Sequence, residues 1–388
     1  MREKIQVACD VQPMIEPKKT GIGWVANELF GQLQKNDEFA LTAQAFTWNE
    51  DLRSKMATLA ETGVTAEPCN WFHVRLYKII WPFIPLSYRL FFRSRPEVQI
   101  FFNNYLPPGT AGKTLLMVHD MAVFAYPLTL SWRTKYMLGM MLRKSTKRAD
   151  HLLTVSEFSK REMVSYLKLD PEQITVVPNG VDFSRFHTGY SKEAIASVTR
   201  KLGIEGDYFL YLGTLEPRKN IPRLIEAYAL LQKKLEKVPR LVLAGRKGWL
   251  YESIFERVQA LGLQKDVLFA GYVSDEDTPP LMAGAKAFVF PSLYEGFGMP
   301  PLEAMACGTP VIVANTASLP EVVGESGLYV DPFDIGSMVE AMERIVLDAE
   351  LCRQVSASGM EHASHFTWEN SGKILASVCR TMAKKGRP

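Results

Sequence analysis

Paired cysteines are missing from this sequence. Cys9, Cys69, Cys307, Cys352 and Cys379 are odd in number, scattered over 388 residues, and contain no Cys-x-x-Cys. Such a set excludes a disulfide framework and a zinc ribbon and points to a reducing compartment. Long apolar runs are absent too, none approaching the roughly 18 residues of a membrane-crossing helix. The start, Met1-Arg-Glu-Lys, passes at once into Ile5-Gln-Val-Ala-Cys-Asp10. It has neither the apolar core nor the small-residue cleavage site of a secretion signal, so the reading is a cytoplasmic protein. Charge of one sign is scarce: 45 basic residues face 42 acidic ones, for a net +3. Nothing global therefore calls for nucleic acid or another polyanion. There is no internal repeat and no low-complexity segment.

What is present is α/β alternation over a length that fits two domains. Apolar strand runs begin at Ile5, Ala40, Val98, Thr114, His151 and Ile174, and again at Tyr208, Arg240, Val267, Ala287 and Pro310, with amphipathic segments between them. Strands that alternate with helices predict parallel sheets. The spacing predicts two Rossmann-like domains, residues 1–190 and 198–366, with the weakly patterned stretch from Phe183 to about Ser197 as the linker. A final helix over 367–388 is expected to cross back to the first domain. Ser156 is placed to cap the helix after the His151 strand.

Chemistry concentrates at the strand ends. Glu295-Gly-Phe-Gly-Met-Pro-Pro-Leu-Glu303 follows the run Ala287-Phe-Val-Phe-Pro-Ser292 and sets two carboxylates eight positions apart. Pro300 and Pro301 suit a first helical turn, since the amide they lack has no partner there, and Glu303 is expected inside that turn. Gly296 and Gly298 lack a Cβ, so neighbouring amides can approach and point at an anion. Read alone, the stretch is equally a βα turn with two solvated glutamates. Arg218 and Lys219, after the strand that ends at Gly213, fit a diphosphate, because guanidinium binds oxygens bidentately and ammonium is a compact charge. Thr114-Leu-Leu-Met-Val-His-Asp120 puts His119 at a strand's carboxyl end, where parallel sheets gather ligand-binding groups. Gly21-Ile-Gly23 follows the first strand. It lacks the third glycine and the acidic residue about 20 positions on that a nicotinamide site requires.

The stretch from Asn70 to Arg95 interleaves aromatic and aliphatic residues with His73, Arg75, Lys78, Arg89, Arg93 and Arg95, and contains no acid. Two readings remain open. It is a face for an anionic bilayer or a lipid-linked partner, or it is two helices packed on the domain with basic side chains snorkelling outward. A second basic cluster follows at Arg143, Lys144, Lys147 and Arg148.

Taken together, Tyr211-Leu-Gly-Thr-Leu-Glu-Pro-Arg-Lys-Asn220, the stretch from Pro291 to Pro310 and Leu319-Pro-Glu-Val-Val-Gly324 resemble the family 4 retaining glycosyltransferases. Thr20-Gly-Ile-Gly23, Val118-His-Asp120, Val155-Ser-Glu-Phe-Ser159 and Val177-Pro-Asn-Gly-Val-Asp182 support the match, which covers most of the chain. The resemblance implies the GT-B architecture, two Rossmann-like domains facing each other across a cleft, with the donor held by the C-terminal domain and the acceptor by the N-terminal one. It further implies that Glu303 takes the ribose hydroxyls of a nucleotide sugar and that Glu295 lies near the transferred sugar. Arg218 and Lys219 would neutralise the leaving diphosphate without a metal. Gly21, Gly23, Gly213, Gly296 and Gly298, with the amides of Phe297 and Met299, would complete the phosphate cradle. His119 would touch the donor sugar or its developing positive charge.

The pattern is similar to bacterial mannosyl- and rhamnosyltransferases of surface-polysaccharide and lipopolysaccharide assembly. It favours GDP-mannose as donor, with UDP-glucose and dTDP-rhamnose open. The basic aromatic stretch favours a lipid-linked saccharide as acceptor, received near Arg75, Lys78, Arg89 and Arg93 by a peripheral enzyme at the inner face of the membrane, with a soluble acceptor as the alternative. A nucleotide-sugar epimerase or phosphorylase on the same architecture, and a non-catalytic sugar-binding protein, are the competing classes.

Overall fold

The computed structural model of the protein describes residues 3–16, 20–81, 83–127 and 132–386. The sequence also reads as helical from Thr129 to Arg148, and Thr129 lies outside the described residues. The chain divides into two compact units, one comprising the chain up to Gly180 with the segment from Trp368 onward, the other Val181–Thr367.

In the first unit, β1 (Ile5–Asp10), β2 (Phe39–Phe46), β3 (Thr65–Cys69), β4 (Val98–Phe101), β5 (Lys113–Val118), β6 (His151–Thr154) and β7 (Ile174–Val176) form a parallel sheet in the order 3-2-1-4-5-6-7. In the second, β8 (Tyr208–Leu212), β9 (Arg240–Ala244), β10 (Val267–Gly271), β11 (Ala287–Phe290), β12 (Val311–Ala314) and β13 (Leu328–Val330) are parallel in the order 10-9-8-11-12-13. Both are doubly wound, Rossmann-like sheets. Central strands such as β4, β11 and β12 are buried at every residue, which is why they read as continuous apolar runs instead of alternating ones. Each order reverses between its first and fourth strands in sequence, β1/β4 and β8/β11, and ligands in such sheets bind at the carboxyl ends beside that reversal.

Caps set the helix starts. Ser156 Oγ accepts a hydrogen bond from Ser159 N at 3.0 Å, and Asn49 Oδ1 accepts one from Leu52 N at 2.9 Å. The last helix, Trp368–Gly386, packs on the Gly21–Gln34 helix of the first unit. A Cβ at Gly372 would lie 2.4 Å from the Cβ of Gln32, so only glycine permits this approach.

Two sequence readings change. The second unit begins at Val181, so residues 183–197 are not a linker and the first domain does not run to 190. That stretch is tied down within the second unit: Arg185 Nη2 donates to Asp275 O at 2.8 Å, Tyr190 Oη donates to Arg185 O at 2.5 Å, and Lys192–Lys201 is a helix. The aromatic stretch is also not two helices. It forms one, Val74–Ile80, then a single 3₁₀ turn at Tyr88–Leu90. Pro85 intervenes, and the residue before a proline is driven away from the helical region. Tyr77, Trp81, Tyr88, Phe91 and Phe92 turn inward to pack with Phe46 and Phe101 as the aromatic core of the unit. Trp71, Leu76, Ile79, Phe83, Ile84 and Leu90 remain exposed.

Candidate active site

The carboxyl ends of β8 and β11 converge on four charged side chains. Lys219 Nζ lies 2.5 Å from Glu295 Oε1, and Arg218 Nη1 lies 3.2 Å from Glu295 Oε2. Arg218 also reaches Glu216 Oε1 at 2.7 Å from Nη2, and its Nη1 donates to Tyr294 O at 2.8 Å. Lys219 sits over the Phe290 ring, 5.1 Å from its centroid. Glu216, Lys219 and Glu295 are all buried. Burial weighs against the charge on Glu295, yet Lys219 and Arg218 outweigh it and hold its carboxyl below the usual range. Burial pulls the Lys219 ammonium down from its ordinary value, against the attraction of Glu295 and with the repulsion of Arg218. Two cations are thus fixed by two carboxylates. Arg218 and Lys219 are rigidly placed donors, and both oxygens of Glu295 already hold a cation.

The backbone here is built for close approach. Asn220 adopts φ 60°, ending the turn that carries Arg218 and Lys219, while its Nδ2 donates to Pro332 O at 2.7 Å. Gly213 N donates to Ala244 O at 3.0 Å, and a Cβ at Gly245 would come within 1.8 Å of the Gly213 carbonyl oxygen. Gly298, at φ +109°, precedes the Met299–Ala306 helix, and a Cβ there would meet Leu319 Cδ2 at 2.7 Å. Ser318 Oγ donates to the carbonyls of Glu295 and Phe297, at 2.9 and 2.7 Å, pinning the loop that includes Gly296.

Glu303 is the fifth residue of the helix that starts at Met299, so it falls in the second turn, not the first. It is partly buried. Its carboxylate has no hydrogen-bond or ion-pair partner among the described residues. Burial pushes its pKa up to about 7, with Arg185 opposing and Asp275 and Asp182 adding to the rise. When ionised, such a carboxylate can accept hydrogen bonds from hydroxyl groups.

In the first unit, His119 is buried just past the end of β5. Its Nε2 is 2.7 Å from Phe102 O and its backbone amide donates to Asn104 Oδ1 at 3.0 Å. Burial lowers its pKa, so the ring is neutral, donates from Nε2, and keeps the Nδ1 lone pair. A neutral ring accepts a hydroxyl hydrogen bond; it does not supply a charge. Gly21 and Gly23 belong to the first turn of the Gly21–Gln34 helix, not to a loop. Arg75, Arg89 and Arg93 are exposed, whereas Lys78 is partly buried with Nζ 4.8 Å from the Tyr105 ring centroid.

Among the sequence candidates the fold brings Gly213, Arg218, Lys219, Glu295, Gly296, Phe297, Gly298, Met299 and Glu303 to one unit, and leaves Gly21, Gly23, His119 and the exposed arginines on the other. Glu216, Asn220, Gly245 and Ser318 were missed by motif reading. Glu216 and Asn220 stand inside the quoted stretch around Arg218, and Ser318 directly precedes Leu319, so the signal was adjacency.

Comparison with known proteins agrees with this layout. The family model described as "Glycosyl transferases group 1" matches residues 198–362, and that described as "Glycosyltransferase Family 4" matches residues 20–185. The chain is 36% identical over 270 residues to O-antigen chain mannosyltransferase B of Escherichia coli, covering 69% of this chain and 70% of that protein. It is 33% identical over 230 residues to the serotype-specific mannosyltransferase WbdA of Escherichia coli, covering 59% of this chain but only 28% of that longer protein. Among solved structures, sucrose-phosphate synthase from Thermosynechococcus elongatus superposes with a TM-score of 0.75 at 19% identity, covering 98% of this chain and 100% of that one, a likeness of fold. Among the described residues no helix is long and apolar enough to cross a membrane. With the site geometry and these matches together, the chain belongs to the group 1 and family 4 glycosyltransferases, with two Rossmann-like domains of the GT-B type.

Proposed function

We propose that the protein is a retaining mannosyltransferase that takes GDP-mannose as donor and lengthens a lipid-linked saccharide during surface-polysaccharide synthesis. The observation that carries the chemistry is the buried set of Arg218 and Lys219 braced by Glu216 and Glu295. Fixed cations aimed at a leaving diphosphate stabilise charge that grows as the anomeric bond breaks, and they need no reorganisation at that moment. This does the work that a metal does elsewhere. The choice of mannose is supported by the mannosyltransferase relatives in Escherichia coli.

Glu303, unpaired and partly buried, takes the ribose hydroxyls. The bond from the anomeric carbon to the diphosphate oxygen breaks while the acceptor oxygen attacks from the same face, and the acceptor proton passes to a leaving phosphate oxygen. Glu295 is no covalent nucleophile in this scheme, because both its oxygens hold cations. The acceptor's lipid is supported by exposed Leu76, Ile79, Ile84 and Leu90 in the same stretch as exposed Arg75 and Arg89, a mix of apolar and cationic side chains that suits an anionic bilayer.

The test is a donor panel of GDP-mannose, UDP-glucose and dTDP-rhamnose with lipid-linked acceptors, followed by NMR of the product. Transfer from GDP-mannose with the α-configuration kept is expected. Transfer from another donor alone would overturn the mannose reading, an inverted linkage would overturn retention, and epimer formation without acceptor would move the chain to another class.

A further inference from the structure

One basic cluster takes no part in the donor site. The helix Trp132–Arg148 contains no acidic residue. Its positions 136, 140, 143, 144 and 147 recur at the three- and four-residue spacing of one helical face. With the short helix Ala122–Ala125, that face borders an open hollow of about 440 Å³. Its lining combines apolar Val123, Phe124, Tyr136 and Met140 with cationic Lys135, Arg143, Lys144 and Lys147. Among the described residues no acid lines it. The Arg143 guanidinium lies 4.7 Å from the Phe124 ring centroid.

Two features make this a receptor for one molecule instead of a flat bilayer contact. It is concave and within the range of about 300–1,000 Å³ typical of small-molecule sites. Its lining residues Val123 and Phe124 stand four and five positions after His119, on the segment that leaves the carboxyl end of β5, where the sheet presents ligand-binding groups. A bilayer headgroup has no need of that end of the sheet; a substrate does. Gly139 deepens the hollow, since a Cβ there would only just touch the Phe124 ring at 3.6 Å.

We infer that this hollow binds the phosphate-bearing end of the lipid carrier, with a segment of hydrocarbon chain against Phe124, Tyr136 and Met140 and the phosphate or diphosphate oxygens on the cationic side chains. The inference rests on the reading of a lipid-linked acceptor given above and assigns that acceptor a site. Guanidinium and ammonium groups suit phosphate, and apolar chain burial adds affinity in proportion to the surface removed from water.

The probe is farnesyl diphosphate, a short isoprenoid diphosphate, titrated calorimetrically into the full chain beside inorganic diphosphate and phosphatidylglycerol vesicles. Farnesyl diphosphate is expected to bind about ten-fold or more tightly than inorganic diphosphate, and about ten-fold or more weakly to Arg143→Ala/Lys147→Ala than to the parent. Gly139→Leu, a substitution that a helix accepts, fills the hollow and should weaken farnesyl diphosphate while leaving inorganic diphosphate unchanged. Arg218→Ala/Lys219→Ala should leave farnesyl diphosphate binding intact, which separates the hollow from the donor site.

No binding, no preference over inorganic diphosphate, or indifference to Gly139→Leu would overturn the inference. So would vesicle binding lost in Gly139→Leu with farnesyl diphosphate retained, which would make the face a bilayer contact. GDP-mannose titration of the same variants reports the donor reading separately, so failure of one is distinguishable from failure of the other.

Discussion

Glu295 bridges Lys219 and Arg218: one carboxylate oxygen is 2.5 Å from the ammonium and the other 3.2 Å from the guanidinium. Glu295, which the family resemblance places near the transferred sugar, is in this fold the anchor of both cations. Removing one partner of a buried ion pair costs about 3–5 kcal/mol, because the other charge is left unpaired.

Glu295→Gln keeps the shape but releases two like charges toward each other. Its melting temperature should fall, and kcat should drop by about 10²–10³ as the cations lose their aim. Affinity for GDP should hold or rise, since the site then carries one more net positive charge. A calorimetric titration with GDP beside steady-state kinetics checks this, and weaker GDP binding with unchanged kcat would refute the anchoring role.

Ser318 acts through the backbone. Ser318→Ala deletes the one buried hydroxyl hydrogen that the carbonyls of Glu295 and Phe297 share, at a cost of about 1–3 kcal/mol. The expected result is a lower melting temperature and a fall in kcat larger than any rise in KM. Rescue by Ser318→Thr, which restores the hydroxyl, distinguishes loop positioning from a general packing defect.

Much of this architecture is legible in the sequence because buried parallel strands are continuous apolar runs; β10 and β11 match their sequence runs end to end. β3 is not legible, since Thr65-Ala-Glu-Pro-Cys69 is a polar edge strand with a proline, where the ladder needs no amide. β13 is three residues between Gly327 and Asp331, with no apolar neighbour to extend its run as Val177 extends that of β7. Residues 183–197 mislead because irregular chain held by side-chain bonds carries no periodicity. At the site, residue types announce the chemistry, but Lys219 and Glu295 are 76 positions apart and only the sheet shows that they pair.

Glycine substitutions separate ligand approach from structural need. A Cβ at Gly21 meets no heavy atom within 4 Å, so Gly21→Ala should fold normally and gain up to about 1 kcal/mol of helix stability. Lost transfer activity with a retained melting temperature would support a ligand passing close to Gly21; retained activity would remove Gly21 from the phosphate cradle. Gly245→Ala, by contrast, forces a Cβ to 1.8 Å from the Gly213 carbonyl and should destabilise the second unit itself, seen as a lower melting temperature.

Ile79 and Leu90 are 60% and 61% exposed, in the stretch that also exposes Arg75 and Arg89. Ile79→Glu/Leu90→Glu should leave the melting temperature within a degree or so and weaken sedimentation with anionic vesicles by about ten-fold or more. High salt should weaken parent binding as well, because part of the attraction is between cations and lipid headgroups. Equal vesicle binding by parent and variant would separate this stretch from the membrane.

Glu303 ties donor affinity to pH. Its folded pKa, raised by burial to about 7, stands above the 4.5 of an ordinary glutamate, so the folded state holds the proton more tightly than the unfolded one. The stability contributed by the protonated form is complete below pH 4.5 and is lost as pH rises through about 7. Glu303→Gln should therefore raise the melting temperature of the ligand-free protein at pH 8 and do so far less at pH 5. Donor binding runs the other way, since ribose hydroxyls need the ionised carboxylate. At pH 6 only about a tenth of the molecules carry it, so apparent GDP affinity should be about ten-fold lower than at pH 8. The glutamine variant should bind weakly at both. A flat pH profile for the parent, or full GDP affinity in the variant, would take the ribose away from Glu303, and the melting curves would still report its burial independently.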